Sequence, residues 1–498
     1  MTDVLLTHSY HLPYDRKQVR KMQPYLPLGT LYAASVLRAQ DLPVAVFDTM
    51  LSDPVSGFPA ALTQHCPKLV AIYEDDFNFL SKMCLTRMRE LAWWMIDEAH
   101  RRGATVIVHG SDASDHAEDY LRRGADYVLI GEAERTLAEL CRNLLQCGEP
   151  GMVEGLVTLE SSNWTAVRMA AVRRGNSWID LPEPARDLID ITPYRAAWKK
   201  AHGYFSMNAV ASRGCPYRCN WCAKPISGDR FHVRPAEAVA EEILQLKESY
   251  GAEHVWFGDD VFALNHHWSE QFATAIGKRQ SVVPFKIQSR ADLMTDGTVQ
   301  ALRRAGCAEV WMGVESGSQQ VLDAMDKGLQ VAEVVDARGR LKEAGIRACY
   351  FLQFGYPGET WKDIEQTIAL VRLTRPYDIG VSVSYPLPNT RFYQKVQAEL
   401  GGKRNWTDSD DLCVMFTAEY QDAFYHAIRD ALHAEVDSWR TPDASNQVER
   451  LWHRVSELEP QSRNASPTRF RIEGAEASTV EHSQLIPLCQ ISGATREA

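Results

Sequence analysis

Long apolar runs are missing from this 498-residue chain: nowhere do about 18 apolar residues follow one another, as a membrane-spanning helix requires. The first residues also lack the charged-then-apolar pattern of a secretory leader. The expectation is a cytosolic protein without a membrane partner. Cysteine is scarce, 11 residues or about 2%, far below a disulfide scaffold, and an odd number cannot pair completely within one chain. Glycine (30) and proline (23) are too few and too scattered for a fibrous or low-complexity chain. An excess of basic charge is absent too: 54 Lys+Arg against 65 Asp+Glu gives −11. That balance argues against a generalised nucleic-acid or anionic-membrane surface, although one local basic patch would survive it. What is there, 45% hydrophobic and 24% charged residues, is an ordinary globular composition. At about 150 residues per domain the length allows about three domains, and a small-molecule partner is expected.

Residues 1–150 alternate short apolar runs with helix-like stretches, the pattern of an α/β doubly wound (Rossmann-like) parallel sheet. Strands are expected at 4–7, 44–47, 69–72, 105–108 and 127–130, and helices at 29–38, 80–102, 117–123 and 134–146. Ligands of such sheets sit beyond the strand carboxyl ends, which points to 74–76, 109–111 and 131–132. Residues 151–205 read as a linker ending in a proline-bounded stretch at 181–187. Between 206 and 400 the alternation resumes with strands at 208–211, 255–257, 285–288, 309–314, 348–354 and 380–384. Six βα units predict a partial (βα)6 barrel with its functional residues at the strand carboxyl ends. Residues 401–498 read as a helical C-terminal cap, mainly helical to 457, followed by a polar tail.

At the end of the first of these six strands stands Ser-Arg-Gly-Cys215-Pro-Tyr-Arg-Cys219-Asn-Trp-Cys222. Two further cysteines at these spacings would arise by chance from any of the 11 with a probability of about 0.5%, so the array calls for a chemical reason. Thiolates hold iron-sulfur clusters, and three of them on a four-iron cluster leave one iron open. A structural zinc site is the alternative; it needs a fourth protein ligand, for which His232 is the neighbouring candidate.

The array, followed by further motifs in order, resembles the radical SAM superfamily. The motifs are Trp-Phe-Gly-Asp259-Asp260 at the second strand, Ser289-Arg290-Ala-Asp at the third, Met-Gly313-Val-Glu315-Ser316-Gly at the fourth, Phe354-Gly-Tyr-Pro-Gly-Glu-Thr360 at the fifth and Tyr385-Pro-Leu-Pro-Asn-Thr390 at the sixth. The resemblance implies that Cys215, Cys219 and Cys222 ligate a 4Fe-4S cluster whose open iron binds S-adenosylmethionine (SAM). It implies that Trp221 lies against the adenine, and that Asp259, Asp260, Gln288, Arg290, Gly313, Glu315 and Ser316 form the SAM wall, Arg290 being suited to the SAM carboxylate. Asp259 and Asp260 read equally as helix N-caps, and 355–358 as an ordinary turn.

The doubly wound domain before the barrel resembles the cobalamin-binding domain of the cobalamin-dependent radical SAM enzymes. Pro27-Leu28-Gly29 opens its first helix, and Asp126-Tyr-Val-Leu-Ile-Gly131-Glu132-Ala-Glu134 resembles a segment of that group. By the same resemblance Glu74, Asp75, Asp76, Gly110, Ser111, Gly131 and Glu132 face the corrin, with Ser114 able to join them. The bland reading of 73–78 is a solvated loop with a helix cap. The D-x-H-x-x-G string that supplies a lower histidine to cobalt in many cobalamin proteins is absent, and His8 and His11 read as structural. The resemblance implies a C-methyltransferase using two SAM molecules. One methylates cobalamin by polar transfer, and the other is cleaved reductively to a 5′-deoxyadenosyl radical that acts on an unactivated carbon of a small molecule. The substrate class it suggests is a natural-product intermediate such as a pyrrole or another heteroaromatic, and the electron comes from an external flavodoxin- or ferredoxin-type reductant. A cobalamin-dependent radical SAM cyclase or oxidoreductase without methyl transfer is the alternative. A methylthiotransferase fits less well because Cys66 and Cys84 are isolated, and a non-catalytic sensor would not need the SAM wall. Tyr350, Tyr356 and Tyr385, at barrel strand ends, are the candidates for substrate contact or proton transfer, with core packing as the alternative.

Overall fold

The structure, a computed structural model, describes residues 2–161, 180–441 and 445–468. Its first sheet contains β1 (Val4–Thr7), β2 (Val44–Phe47), β3 (Leu69–Tyr73), β4 (Thr105–His109), β5 (Tyr127–Leu129) and β6 (Leu156–Val157). They lie in the order β2-β1-β3-β4-β5-β6, parallel except for β6. β1 is flanked by β2 on one side and β3 on the other, so the switch in connection direction falls at the carboxyl ends of β1 and β3, where such sheets bind ligands. Two apolar layers cover the sheet, one around Phe58, Met95 and Ile96, the other around Ala33, Leu37 and Leu137.

The second sheet is all parallel, in the order β14-β13-β12-β11-β10-β7. It is built from β7 (Ser206–Ala209), β10 (His254–Phe257), β11 (Phe285–Ser289), β12 (Cys307–Glu315), β13 (Arg347–Phe354) and β14 (Asp378–Val383). This is the expected six-unit half-barrel. Between β7 and β10 a separate two-stranded ribbon, β8 (Ser212–Gly214) with β9 (Phe231–Val233), brackets the cysteine loop. One continuous core joins the units: Tyr10, Leu26, Leu80, Leu85 and Met88 pack with barrel residues such as Phe257, Met312 and Phe354.

Several elements differ from expectation. The single helix expected over 80–102 is two, Phe79–Lys82 and Thr86–His100, with Cys84 between them in the left-handed region (φ 55°). The cause is tertiary: the Thr86 N–H donates to the Trp406 carbonyl (2.8 Å) and the Arg87 N–H to that of Thr407, so the C-terminal segment caps the second helix. A further helix, Pro54–His65, is capped by Asp53 and carries Pro59 within it. The strand expected at 208–211 runs as β7 and then β8. Within 401–457 the residues before Asp422 form no long helix; helices follow at Asp422–Ser438 and Ser445–Gln461. The expected tail beyond 468, like part of the linker, lies outside the described residues. Among the described residues no helix is long and apolar enough to cross a membrane.

Candidate active site

The ribbon delivers the cysteines. Gly214, at φ 84°, faces Arg230 so closely that a Cβ would fall 2.2 Å from its carbonyl oxygen, so only glycine closes the loop here. Within the loop Lys224 Nζ donates to the carbonyls of Cys215 (2.9 Å) and Tyr217 and pairs with Asp229. Asn220, between the second and third cysteines, donates its N–H to the Met325 carbonyl (3.0 Å) and its amide to that of Ala324 (2.7 Å). The Tyr356 hydroxyl lies 3.0 Å from Asn220 Oδ1 and 2.8 Å from the Ala324 carbonyl. Cys215, Cys219 and Cys222 are free and half-buried. Burial pushes the Cys222 thiol up to about 12, with Asp260 and the other two cysteines adding to it, so the three thiols share one electrostatic neighbourhood. Among the described residues no three His, Cys, Asp or Glu side chains stand close enough to hold a single metal ion. His232, the candidate fourth ligand of a zinc site, sits on β9 with its Nε2 unbonded. Three free thiols on one tethered loop suit the chemistry of an iron-sulfur cluster, which cysteine thiolates hold.

The residues that the resemblance implies for SAM are placed as follows. Glu315, at φ 60°, is ion-paired to Lys327 (2.8 Å), both buried, and the Cys219 charge reaches Lys327 and Arg290. Arg290 is more committed than expected: it binds Asp292 (2.9 Å) and the carbonyls of Lys327 (3.0 Å) and Gly328 (2.9 Å), and its guanidinium lies 3.8 Å from the Tyr217 ring centroid. Its geometry holds the 327–328 turn. Asp259 is buried against the barrel, accepting from the Ala211 N–H and the Ser212 hydroxyl, and burial lifts its carboxyl to about 6. Asp260 lines the same cavity as Cys215 and Cys222 and pairs with Lys82 of the first domain (2.5 Å). Neither aspartate caps the following helix, which Asn265 does. Ser316 bonds Thr367, Gln288 and Gly313 are half-buried on the inner face, and the Trp221 indole N–H is unbonded.

The three tyrosines are placed differently from expectation. Tyr350 packs among the helices, with Arg338 and Thr374 as neighbours, so it faces away from the barrel interior. Tyr356 secures Asn220. Tyr385 stacks on Trp406 (4.4 Å, 10°), and its hydroxyl accepts from Asn405 and the Trp406 N–H. All three hold structure.

In the first domain Asp75 accepts the Gly29 N–H (3.0 Å), capping a helix whose own N-cap, Pro27, has no polar side chain; Leu28 beside it is buried. Glu74 accepts the Ser9 N–H (2.9 Å). Gly110 (φ 146°) gives Glu74 room, since a Cβ there would lie 2.7 Å from the Glu74 Cβ. Gly131 offers its carbonyl to His109 Nε2 (2.8 Å). His8 bonds Asp48, and His11 bonds the Thr49 carbonyl.

Asp76, Glu132 and Glu134 turn toward the barrel and surround Arg213, two residues before Cys215. Arg213 is hydrogen-bonded to Glu134 and lies 3.5 Å from Asp76 and 3.9 Å from Glu132. Burial lifts Glu132 to about 7, whereas the Arg213 charge overcomes burial at Glu134 and holds it below its ordinary value. Both Glu132 oxygens and the hydroxyls of Ser111 and Ser114 are buried without a hydrogen-bond partner. Such orphaned polar atoms fit a polar ligand such as corrin amides. A cavity of about 110 Å³ lies between Asp76, Phe77, Lys82 and Ser111 on one side and Arg213, Cys215 and Cys222 on the other. Arg213, Asn220 and Lys327 are functional neighbours that the sequence motifs do not mark. Arg213 stood inside the cysteine string, but Lys327 had no signal of its own.

Residues 210–371 match the Radical SAM superfamily profile. An uncharacterized methyltransferase of Pyrococcus horikoshii is 26% identical over 373 residues, 74% of this chain and 78% of the relative. The radical SAM methyltransferase TsrM from Kitasatospora setae, solved with cobalamin and a [4Fe-4S] cluster bound, superposes with a TM-score of 0.62 at 18% identity, covering 77% of this chain and 75% of that one. The cobalamin-dependent SAM radical enzyme OxsB, solved with aqua-cobalamin and SAM bound, gives 0.64 at 16% identity over 92% of this chain and 71% of OxsB. Residues 210–371 are therefore a radical SAM domain, and the chain is built on the fold of the cobalamin-dependent radical SAM enzymes.

Proposed function

We propose that the protein is a cobalamin- and SAM-dependent radical methyltransferase that methylates a carbon of a small molecule, with a heteroaromatic as the favoured class. The carrying observation is the cavity whose walls are Cys215 and Cys222 of one unit and Asp76, Phe77, Lys82 and Ser111 of the other. In this reading 1–150 is the cobalamin unit, 151–205 the linker, 206–400 the radical SAM core and 401–498 the cap. Cys215, Cys219 and Cys222 hold the cluster. Trp221, Asp260, Gln288, Glu315 and Ser316 face SAM, and Ser111, Ser114 and Glu132 face the corrin. When bound, these groups supply an electron, a carbon-centred radical and a transferable methyl group, chemistry required because no side-chain base deprotonates an unactivated C–H bond near neutral pH. The chain contributes position and charge. Lys327 and Arg290 stand beside Cys219 to offset negative charge, and Tyr356 fixes the loop through Asn220.

The test is anaerobic purification with iron, sulfide and corrinoid quantified, then incubation with methyl-deuterated SAM, candidate heteroaromatics and a flavodoxin- or ferredoxin-type reductant. A labelled product supports methyl transfer. 5′-Deoxyadenosine with an unlabelled cyclised or oxidised product replaces it with the cyclase reading, and four irons without corrinoid overturns the cobalamin half.

A further inference from the structure

Three cations line the inter-domain cavity, Lys82, Arg213 and Lys224, and two of them are fully engaged. Arg213 is held by Glu134, with Asp76 and Glu132 beside it. Lys224 places its three protons on the carbonyls of Cys215 and Tyr217 and on Asp229. Next to the cysteine loop, Lys327 is paired with Glu315, and Arg290 with Asp292 and the carbonyls of Lys327 and Gly328. Lys82 differs from all of these. Its Nζ donates to Asp260 Oδ1 (2.5 Å), and among the described residues no other acceptor takes its two remaining protons. Asp260 in turn uses one oxygen on Lys82. Both side chains line the cavity and stay accessible, at 23% and 35% exposure.

The fold fixes this lysine against the barrel although it belongs to the first domain, 178 residues before its partner. The short helix Phe79–Lys82 is capped by the Asn78 side chain and ends at the lysine, and Cys84, in the left-handed region, turns the chain away directly afterwards. Leu80 and Leu85, on either side of Lys82, are buried in the core shared with the barrel. The break between the two helices therefore sets the Lys82 ammonium in the cavity, where the charges of Cys222 and Asp76 act on it.

A ligand carboxylate entering this cavity meets Asp76, Asp260 and the Cys215 and Cys222 thiols, which repel it once ionised. Lys82 is the lining cation with N–H groups left to donate to it. An ammonium beside a carboxylate, each with unused hydrogen-bonding capacity, is complementary to the amino-acid end of SAM, whose carboxylate and amino group sit on one carbon.

We infer that Lys82, supplied by the first domain, is the counter-ion of the SAM carboxylate, while Asp260 beside it takes the SAM amino group. The inference rests on the SAM-binding reading above and deepens it. The role that the resemblance implies for Arg290 passes to a residue outside the radical SAM domain, so SAM affinity depends on the seating of the first domain on the barrel.

Isothermal titration of the anaerobically purified full-length protein with SAM and with decarboxylated SAM tests this. Both ligands carry the adenosine, the sulfonium and the amino group, and only SAM carries the carboxylate. Lys82→Gln should weaken SAM at least about 10-fold and leave decarboxylated SAM within about twofold. Lys82→Arg, which keeps the charge, should recover most of the SAM affinity. Lys82→Met repeats the charge loss with an apolar stem, and melting, iron and corrinoid measured on each variant report that it is folded and loaded. Equal weakening of both ligands would mean that Lys82 acts only by placing Asp260, and overturns the inference. So does SAM affinity unchanged in both Lys82→Gln and Lys82→Met, an outcome that leaves the SAM-binding reading standing. An unaltered protein that holds its iron and binds neither ligand removes that reading, and this inference with it.

Discussion

Arg213 and Glu134 form a buried ion pair across the two domains, placing a residue of the cysteine string in the grip of the doubly wound unit. Asp76 and Glu132 stand on the same guanidinium, and the Phe77 ring lies 4.5 Å beneath it. One cation, itself in the wall of the inter-domain cavity beside Asp76, thus holds three carboxylates, so the cysteine loop and the 74–76 and 131–134 segments cannot move independently. Removing one partner of a buried pair typically costs about 3–5 kcal/mol because the other charge is left uncompensated. Arg213→Met should lower the melting temperature by several degrees and reduce co-purified corrinoid. Glu134→Gln, which leaves Arg213 with two carboxylates, should do less. Arg213→Lys should fall between them, since a single ammonium cannot reach three acids as a guanidinium does. An Arg213→Met protein that melts with the unaltered chain and keeps its corrinoid would show that the pair is incidental.

The three loop cysteines predict a clean separation of cluster loss from unfolding. Cys215→Ala, Cys219→Ala and Cys222→Ala should each drop iron from about four to below about one per chain and abolish reductive SAM cleavage. Melting should change little, because Lys224, Asn220 and Tyr356 tether the loop without the thiols. Cys413→Ala, in a half-buried cysteine outside the array, is the control. Full iron content in any single variant of the triad would remove that residue from the ligand set.

The cysteine string and the order of the barrel strands were legible because local spacing carries them. Arg213 was visible in the string, but its role was not: Glu134 is 79 residues away and Asp76 137, and no local pattern encodes that meeting. Tyr350 shows a second limit. Within β13 the run Ala348–Leu352 is apolar without alternation, so neither periodicity nor composition says which side faces inward. Phe351 faces the lumen, and Tyr350 lies among the helices. The break at Cys84 shows a third, since the carbonyl that caps the following helix belongs to Trp406, far along the chain.

Tyr356 should act on the cluster without touching it. Tyr356→Phe removes one hydroxyl, about 1 kcal/mol of stability, and with it the hydrogen bond to Asn220 Oδ1 between the second and third cysteines. The expected result is faster iron loss during anaerobic dialysis against a chelator and a shifted EPR signal of the reduced cluster, with a nearly unchanged melting temperature. Iron loss at the wild-type rate would mean that Ala324 and Met325 hold Asn220 unaided.

Glu359 supplies the sharpest pH dependence. Its carboxyl is buried, with one oxygen accepting the Gly355 N–H (2.6 Å) and the other unbonded. Burial pushes it up to about 8, well above its ordinary value of 4.5. The folded chain therefore keeps a proton that the unfolded chain releases. The stability this provides is complete below about 4.5, declines as pH rises toward 8 and is gone above it. Burial lifts Asp75 and Glu132 to about 7, adding declines of the same sign. Glu359→Gln keeps an acceptor for the Gly355 N–H and has nothing to ionise. It should melt with the unaltered protein at pH 5 and above it at pH 9, the gap opening between those values. Melting curves that run parallel from pH 5 to 9 would show that Glu359 ionises in the folded chain as readily as in the unfolded one.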